Sequence, residues 1–197
     1  MKHTVSVLAL TLALGLGALP AHAELSSNAK IAAGQVGMRD LWLGHIFWAR
    51  EFSRATMEKN TAAAKNAEDQ VVADAKQIGA SIEPFYGKAA GDKLFTLLAG
   101  HWAAIKAHVE ATAKGDAKAQ QAAIAQAAKN GEEIATFLST ANPNLPKGTL
   151  IALLTAHVGH HVTQNQQLHD KKYADEAKTW DAMKTHMNTI ADALIGG

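Results

Sequence analysis

The sequence predicts an all-α protein, a helical bundle built from three helical hairpins of about 56 residues each. Three observations support this fold class. Ala and Leu dominate long segments that carry apolar residues at helical spacing. Turn-forming residues cluster between these segments, and two short patterns recur at one constant distance along the chain.

The recurring patterns define the predicted hairpins. A triplet of a small residue, His and an apolar residue repeats in steps of 56 residues, as Gly44-His45-Ile46, Gly100-His101-Trp102 and Ala156-His157-Val158. An Ile that precedes a small residue keeps the same step, at Ile78, Ile134 and Ile190. Because two independent patterns share one period, we expect hairpins at 28–83, 84–139 and 140–195.

The N-terminus predicts export. Lys2 is followed by an apolar run from Thr4 to Pro20 and by Ala21-His22-Ala23, which together form the pattern of a signal peptide over residues 1–23. We expect cleavage after Ala23, which leaves 24–197 as one helical domain in the periplasm or outside the cell. The apolar run is shorter than the roughly 20 residues of a membrane span, so we expect no stable membrane anchor after cleavage.

Composition excludes several classes of site and partner. The chain has no Cys, which excludes disulfides, thiolate metal sites and covalent haem attachment. The 19 Lys and Arg residues nearly balance the 18 Asp and Glu residues, so nothing favours nucleic acid as a partner. No pattern assigns a protein partner.

Three histidines are predicted to face the bundle interior at one depth. His45, His101 and His157 each lie in an apolar helical stripe. A polar residue follows each of them after 29 residues, so that the midpoint of each pair falls in a predicted turn. Residues equidistant from the turn of a helical hairpin lie at one height. We therefore expect a polar layer of six side chains: His45, His101, His157, Asp74, Asn130 and His186.

Two interpretations of this polar layer are open. In the first, the groups form a hydrogen-bonded network in which Asp74 accepts from His45, since buried polar groups need partners. In the second, the imidazoles of the three central histidines bind zinc or copper, with Asp74 or His186 as a further ligand or as the partner of a ligand. The Glu-x-x-His pairs of a di-iron bundle are not found in the sequence.

Secondary ligand candidates surround the polar layer. His160 and His161 follow His157 by three and four residues, a spacing that can clamp one ion. Because a polar stretch follows at 163–167, a solvated helix face is the favoured interpretation of this group. His108 and Asn130 are further candidates. Arg50 and Glu51 are expected to form an exposed ion pair of little energetic weight.

Leu41-Trp42, His45, Trp48 and Arg50 form the pattern LWxxHxxWxR, by which the chain resembles a family of exported bacterial helical proteins. Other stretches that are similar to this family are IGxxIxPxYG at 78–87, LLxxH ending at His101, IAxFLxxANPN at 134–144, and His186. The resemblance implies a helical fold and export, with His45, His101, His157 and His186 at motif positions. The family pattern has Asn where this chain has Asp74, which bears on the charge of the polar layer. Some members carry a glycosyltransferase label, an activity of strand-rich α/β domains that this sequence does not predict.

These patterns favour a binding protein over an enzyme. The leading hypothesis is a periplasmic or secreted protein that holds a transition-metal ion or a small molecule in the polar layer. Haem is a less favoured ligand, for which His45, His101, His157, His186, Met183 and Met187 offer axial groups. The alternative is a structural or envelope-stress protein whose buried network only fixes helix packing. An enzyme with His45 and Asp74 as general base is disfavoured, because no nucleophile or phosphate-loop motif accompanies them.

Overall fold

The computed structural model describes residues 25–196, and within this range all regular structure is helical, which confirms the prediction of an all-α protein. The predicted signal peptide and its cleavage site lie outside the described residues. Six long helices and the single-turn α3 follow one another as α1 (Ala29–Met57), α2 (Thr61–Ser81), α3 (Glu83–Tyr86), α4 (Lys88–Lys114), α5 (Ala117–Ala141), α6 (Lys147–His169) and α7 (Tyr173–Gly196).

Polar and turn-forming residues mark the helix ends. The side chains of Asn28, Asn60 and Asp116 accept hydrogen bonds from backbone N–H groups in the first turns of α1, α2 and α5. Gly115 ends α4 with φ 68°, a left-handed conformation that glycine adopts without steric strain. Two- or three-residue turns therefore join α1 to α2, α4 to α5 and α6 to α7, and each pair runs antiparallel.

Three of the six long helices lie at the centre of the bundle, and the other three pack between them on the outside. α1, α4 and α6 contact one another. α2 packs against α1 and α4, α5 against α4 and α6, and α7 against α6 and α1. Inner faces of α1, α4 and α6 therefore meet near the middle of the bundle. No helix within residues 25–196 combines the length and the apolar character needed to cross a membrane.

Apolar side chains fill the bundle on both sides of the central histidines. Trp42 and Leu98 belong to one cluster of buried side chains, which extends toward the ends of α2 and α7. Phe52 and Trp102 belong to a second cluster, which extends toward the short turns within the helix pairs. Along α1, His45 lies between these two clusters, so its ring is surrounded by hydrocarbon above and below.

Two ion pairs join the first and the last helix. Arg39 of α1 donates from Nε and Nη2 to the carboxylate oxygens of Asp192 in α7, at 2.8 and 2.6 Å. Arg50 of α1 binds both carboxylate oxygens of Glu176 in α7, at 2.6 and 2.7 Å. Such bidentate contacts fix the orientation of both partners, and they hold α7 in register with α1.

Arg50 is only partly exposed and reaches from the edge of the bundle toward a buried carboxylate. Its side chain is 18% exposed and that of Glu176 only 3%. The guanidinium also lies 5.0 Å from the centroid of the Trp180 ring. The prediction that Arg50 forms an exposed pair with Glu51 is therefore wrong, because its partner lies 126 positions away along the chain.

Arg50→Ala tests this contact, because it leaves the buried Glu176 carboxylate without its cation. Breaking a buried ion pair from one side costs about 3–5 kcal/mol. Since Arg50 is partly exposed, we expect the free energy of unfolding in urea to fall by about 2–3 kcal/mol. The control is Arg54→Ala, where the surface pair with Glu51 spans 3.8 Å and the expected loss is about 0.5 kcal/mol. Equal losses in the two variants would contradict the interpretation.

Candidate functional site

Three imidazole rings, one from each central helix, meet in the middle of the bundle. His45, His101 and His157 are 2%, 3% and 2% exposed. The centroid of the His157 ring lies 6.3 Å from that of His45 and 5.5 Å from that of His101. The structure thus brings together the three histidines that the sequence pattern aligns.

The second helix of each pair places a polar side chain beside these rings. Asn130 Nδ2 donates to the carbonyl oxygen of Leu97 at 3.1 Å. His186 Nε2 donates to the carbonyl oxygen of Leu153 at 2.9 Å. Leu97 and Leu153 each precede a central histidine by four residues. The same backbone position is therefore bound in both helix pairs, at the level of the imidazoles.

Glycine allows the second helix to approach this closely. A Cβ added to Gly44 would lie 3.0 Å from Asp74 Oδ2, and one added to Gly100 would lie 3.1 Å from Asn130 Nδ2. Both distances are shorter than ordinary van der Waals contact, so a larger residue would displace the polar side chain. The glycine before His45 thus leaves room for Asp74, and the glycine before His101 leaves room for Asn130.

Asp74 occupies the corresponding place beside α1, but as a carboxylate it cannot donate to a carbonyl. Its Oδ2 is buried and has no hydrogen-bond partner among residues 25–196. Burial raises the pKa of Asp74, because the charged form loses its hydration. His45 Nδ1 also has no partner in the described part of the chain. The expected hydrogen bond from His45 to Asp74 is therefore not made.

His161 joins His45 and His157 in a group with metal-ligand spacing. One ligand nitrogen from each residue lies within 4.8 Å of the other two. The Nε2 atoms of His157 and His161 form a hydrogen bond at 3.2 Å, in which one donates and the other accepts; residues four apart share a helix face. We call these residues the three-histidine group.

The prediction that His161 lies on a solvated helix face is wrong. His161 is 2% exposed, and Gln164 and Asn165 further along α6 are also buried. The reason is that α6 packs against α1, α4, α5 and α7, so that much of its polar half faces protein. His160, its neighbour in sequence, is half-buried.

Other predicted ligands lie at the edge of the three-histidine group. His101 stacks on His157, and neither of its ring nitrogens has a hydrogen-bond partner in the part of the chain that the structure describes. The ring centroid of His186 lies 6.5 Å from that of His157 and 5.3 Å from that of His160. His101, His186 and Asp74 are thus near the group but outside it.

A second polar layer lies closer to the short turns of the helix pairs. Asn165 is fully buried; its Oδ1 accepts from Ser53 Oγ at 2.8 Å, and its Nδ2 donates to His108 Nδ1 at 3.1 Å. His108 therefore carries its proton on Nε2. Gln164 Nε2 donates to Glu176 Oε1 at 2.8 Å. His108, a secondary ligand candidate, belongs to this network and not to the three-histidine group.

Sequence reasoning missed the polar partners in this second layer. Gln164 and Asn165 follow His157 by seven and eight residues, which is two turns along the same helix face. Ser53 follows His45 by eight residues in the same way. Helical spacing from the central histidines could therefore have predicted that these three polar residues are buried. Glu176 carries no such signal, because its contacts come from other helices.

Burial keeps the clustered imidazoles neutral. It lowers the pKa of His45 to about 3 and that of His101 to about 4. The pKa values of His157 and His161 fall well below the ordinary value, first because of burial and then because the neighbouring histidines would repel a charge. A neutral imidazole keeps one nitrogen lone pair free for a proton donor or a metal ion.

An apolar cavity of about 490 Å³ leads from one end of the bundle to the central histidines. Trp42, His101 and His157 line its inner end. Lys30 and Asn142 line its outer end, and most of the wall between them is formed by Leu and Ile side chains. The histidines thus have a route to the outside along the bundle axis.

The pH dependence of stability tests the burial of neutral imidazoles. Unfolded histidines take up protons below about pH 6.5, whereas folded His45 and His101 do so only near pH 3 and 4. The unfolded state binds more protons between these values, so the free energy of unfolding falls as the pH falls from 6.5. Each such histidine contributes a slope of up to about 1.4 kcal/mol per pH unit. Between pH 6 and 4.5, we expect the free energy of unfolding in urea to fall as the pH falls. His101→Gln should reduce the slope of this change by up to about 1.4 kcal/mol per pH unit, which corresponds to one proton. Thr163→Gln, which changes an exposed residue of α6 that does not titrate, should leave the slope unchanged, and an equal slope in all three proteins would contradict the expectation.

Comparison with known protein families, with curated proteins and with solved structures found no match. The likeness to the LWxxHxxWxR family stays a prediction from its motif. The function of this chain must therefore be inferred from its own residues.

Proposed function

We propose that this protein binds one transition-metal ion, zinc or copper, through His45, His157 and His161. The observation that carries the proposal is the convergence of three ring nitrogens from α1 and α6 within 4.8 Å of one another. All three residues are buried, and imidazole nitrogen is a common ligand of both metals.

The spacing of the two imidazoles on α6 supports a tetrahedral ion. Zinc binds imidazole nitrogen at about 2.0–2.1 Å, which puts two nitrogens of a tetrahedral site about 3.3 Å apart. The Nε2 atoms of His157 and His161 lie 3.2 Å apart. Three protein ligands leave one position for water or for a small ligand that arrives through the cavity.

The protonation state of the group also supports the proposal. A metal ion competes with protons for the nitrogen lone pair. Burial holds the pKa values of His157 and His161 well below their ordinary value, so at neutral pH neither ring carries a second proton. One of the two Nε2 atoms carries the proton of their mutual hydrogen bond, and this proton moves to Nδ1 of the same ring when both Nε2 atoms bind an ion. His157 Nδ1 has no hydrogen-bond partner among the described residues, so it is free to carry the proton that Nε2 gives up.

We further infer that the three helix pairs are copies of one unit of about 56 residues. The bonds from Asn130 to Leu97 and from His186 to Leu153 support this, because they connect positions one period apart. The third copy differs from the other two at one buried position. His161 corresponds to Ala49 and Ile105 in the other two copies, so the copy-specific histidine is the one that completes the three-histidine group.

Zinc titration of EDTA-treated protein tests the metal proposal. We expect calorimetry to give one ion per chain, with an affinity that His161→Ala lowers at least about 100-fold because one ligand is lost. The matched control is His169→Ala, the same substitution on α6 at an exposed residue that pairs with Asp170. This variant should bind zinc as the unchanged chain does.

Two results would overturn the metal proposal. One is the absence of binding with zinc, copper and cobalt alike, and the other is an equal loss of affinity in His161→Ala and His169→Ala. His101→Ala separates the three-histidine group from the wider polar layer. We expect it to retain one ion within about tenfold of the original affinity, whereas a loss as large as that of His161→Ala would make His101 a ligand.

Export belongs to the same proposal and has its own test. When the full chain is produced in a bacterium, we expect mass spectrometry of the periplasmic fraction to find a mature protein that begins at Glu24, because the small residues at 21 and 23 suit signal peptidase. Full-length protein confined to the cytoplasm would contradict export.

A structural role is the second candidate, and the bonded network of Ser53, Asn165 and His108 favours it. If the imidazoles only fix helix packing, replacing His101 and His157 together by Leu should raise the free energy of unfolding and change no bound ion. Haem is the third and least favoured ligand. A Soret band in the purified protein would assign it.

A further inference from the structure

The apolar cavity is long and is lined by all six long helices. Along α1 it extends from Lys30 to Trp42, which corresponds to about 18 Å of helix. Its volume of about 490 Å³ falls within the range of about 300–1,000 Å³ found for small-molecule sites. The space therefore suits one organic molecule of moderate size.

Most of the cavity wall, from the outer end to the inner end, is formed by apolar side chains. Ile82, Leu98 and Phe137 are among the lining residues. Phe85 and Tyr86 of α3 also line it and remain 76% and 44% exposed. Apolar surface of this kind favours an apolar ligand, because such a ligand leaves water when it binds.

Two residues that line the inner part of the cavity carry polar atoms without hydrogen-bond partners. Both ring nitrogens of His101 and Nε1 of Trp42 are buried and lack hydrogen-bond partners within residues 25–196. The two residues are 3% and 7% exposed, and both line the cavity. A neutral imidazole offers one donor and one acceptor, and an indole offers one donor. Since buried polar groups ordinarily have partners, this end fits a ligand group that both accepts and donates.

The charges around the cavity select a neutral polar group. Lys30 is the only Lys, Arg, Asp or Glu among the described residues that line the cavity, and it lies at the outer end. A carboxylate bound at Trp42 would be about 18 Å along α1 from that cation. Burying a charge without a counter-ion is costly, whereas a hydroxyl or a carbonyl carries no such cost.

We propose that the cavity binds an apolar small molecule through one hydroxyl or carbonyl group, which hydrogen-bonds to His101 and Trp42 at the inner end. The apolar body of the ligand packs against the Leu and Ile walls. This site is separate from the metal proposal, because His161 does not line the cavity and His101 lies outside the three-histidine group. The two sites share only His157.

Calorimetric titration of EDTA-treated protein at pH 8 with three probes tests this site. 1-Octanol has the proposed chemistry, octanoate has a similar chain with an anionic head, and toluene has no polar group. We expect one octanol per chain, bound at least about tenfold more tightly than octanoate, because the inner end offers no cation.

Two glycines of α1 give a matched test of location. Gly34 lines the cavity, and a Cβ added there meets Ile195 at an ordinary contact distance of 3.5 Å. Gly37 has nothing within 4 Å of an added Cβ and does not line the cavity. We expect Gly34→Leu to weaken octanol and toluene binding about tenfold, since it narrows the cavity, and Gly37→Leu to leave both unchanged.

Trp42→Phe and His101→Leu test the polar inner end. Each keeps an apolar side chain and removes hydrogen-bonding atoms, so we expect octanol affinity to fall about three- to tenfold while toluene affinity stays or rises. Trp42→Phe is the smaller change, and it still tests the polar inner end if His101→Leu alters folding. His161→Ala should keep octanol binding and lose zinc binding, so that failure of one site is distinguishable from failure of the other.

Three results would overturn this inference. Octanoate that binds more tightly than octanol, with its affinity lost in Lys30→Ala, would place the ligand head at the outer end. Equal effects of Gly34→Leu and Gly37→Leu would exclude the cavity as the location. Absence of binding with all three probes would exclude an apolar ligand of this class.

Discussion

The structure depends on the burial of neutral imidazoles where α1, α4 and α6 meet. In an apolar interior an imidazole ring does not readily take up a second proton, because the resulting cation would lose its hydration, and the lowered pKa values of His45 and His101 follow from this. The surrounding residues are arranged to fit the rings. Glycine at 44 and 100 lets the second helices approach, and Asn130 and His186 bind backbone carbonyls at the same level. Folding and the candidate site therefore rest on the same residues.

Local patterns were sufficient for the fold class and for the depth of the central histidines. Helical spacing and capping residues such as Asn60 determine where helices lie, and a spacing of 29 residues across a turn places two side chains at one height. Contacts between distant helices leave no such pattern. The partner of Arg50 lies in α7, and His161 is buried only because four helices surround α6. The cavity likewise results from packing at the helix ends.

α6 carries most of the polar chemistry of the interior. It contributes two members of the three-histidine group and the buried amides Gln164 and Asn165, which reach α7, α1 and α4. The proposed metal site and the apolar cavity meet at His157, where a ligand at one site touches a residue of the other. Occupancy of either site would then change the affinity of the other by the same factor, as thermodynamic linkage requires.

The ion pairs between α1 and α7 have a topological consequence. They close the ring of helices, and Gly34 near the start of the described chain lies beside Ile195 near its end. A chain whose ends lie side by side can be circularly permuted with little loss of contacts. Joining residues 25 and 196 by a linker and opening the turn at 115–116 would preserve every helix neighbour. The order of the helix pairs along the chain is thus not required for the way in which they pack.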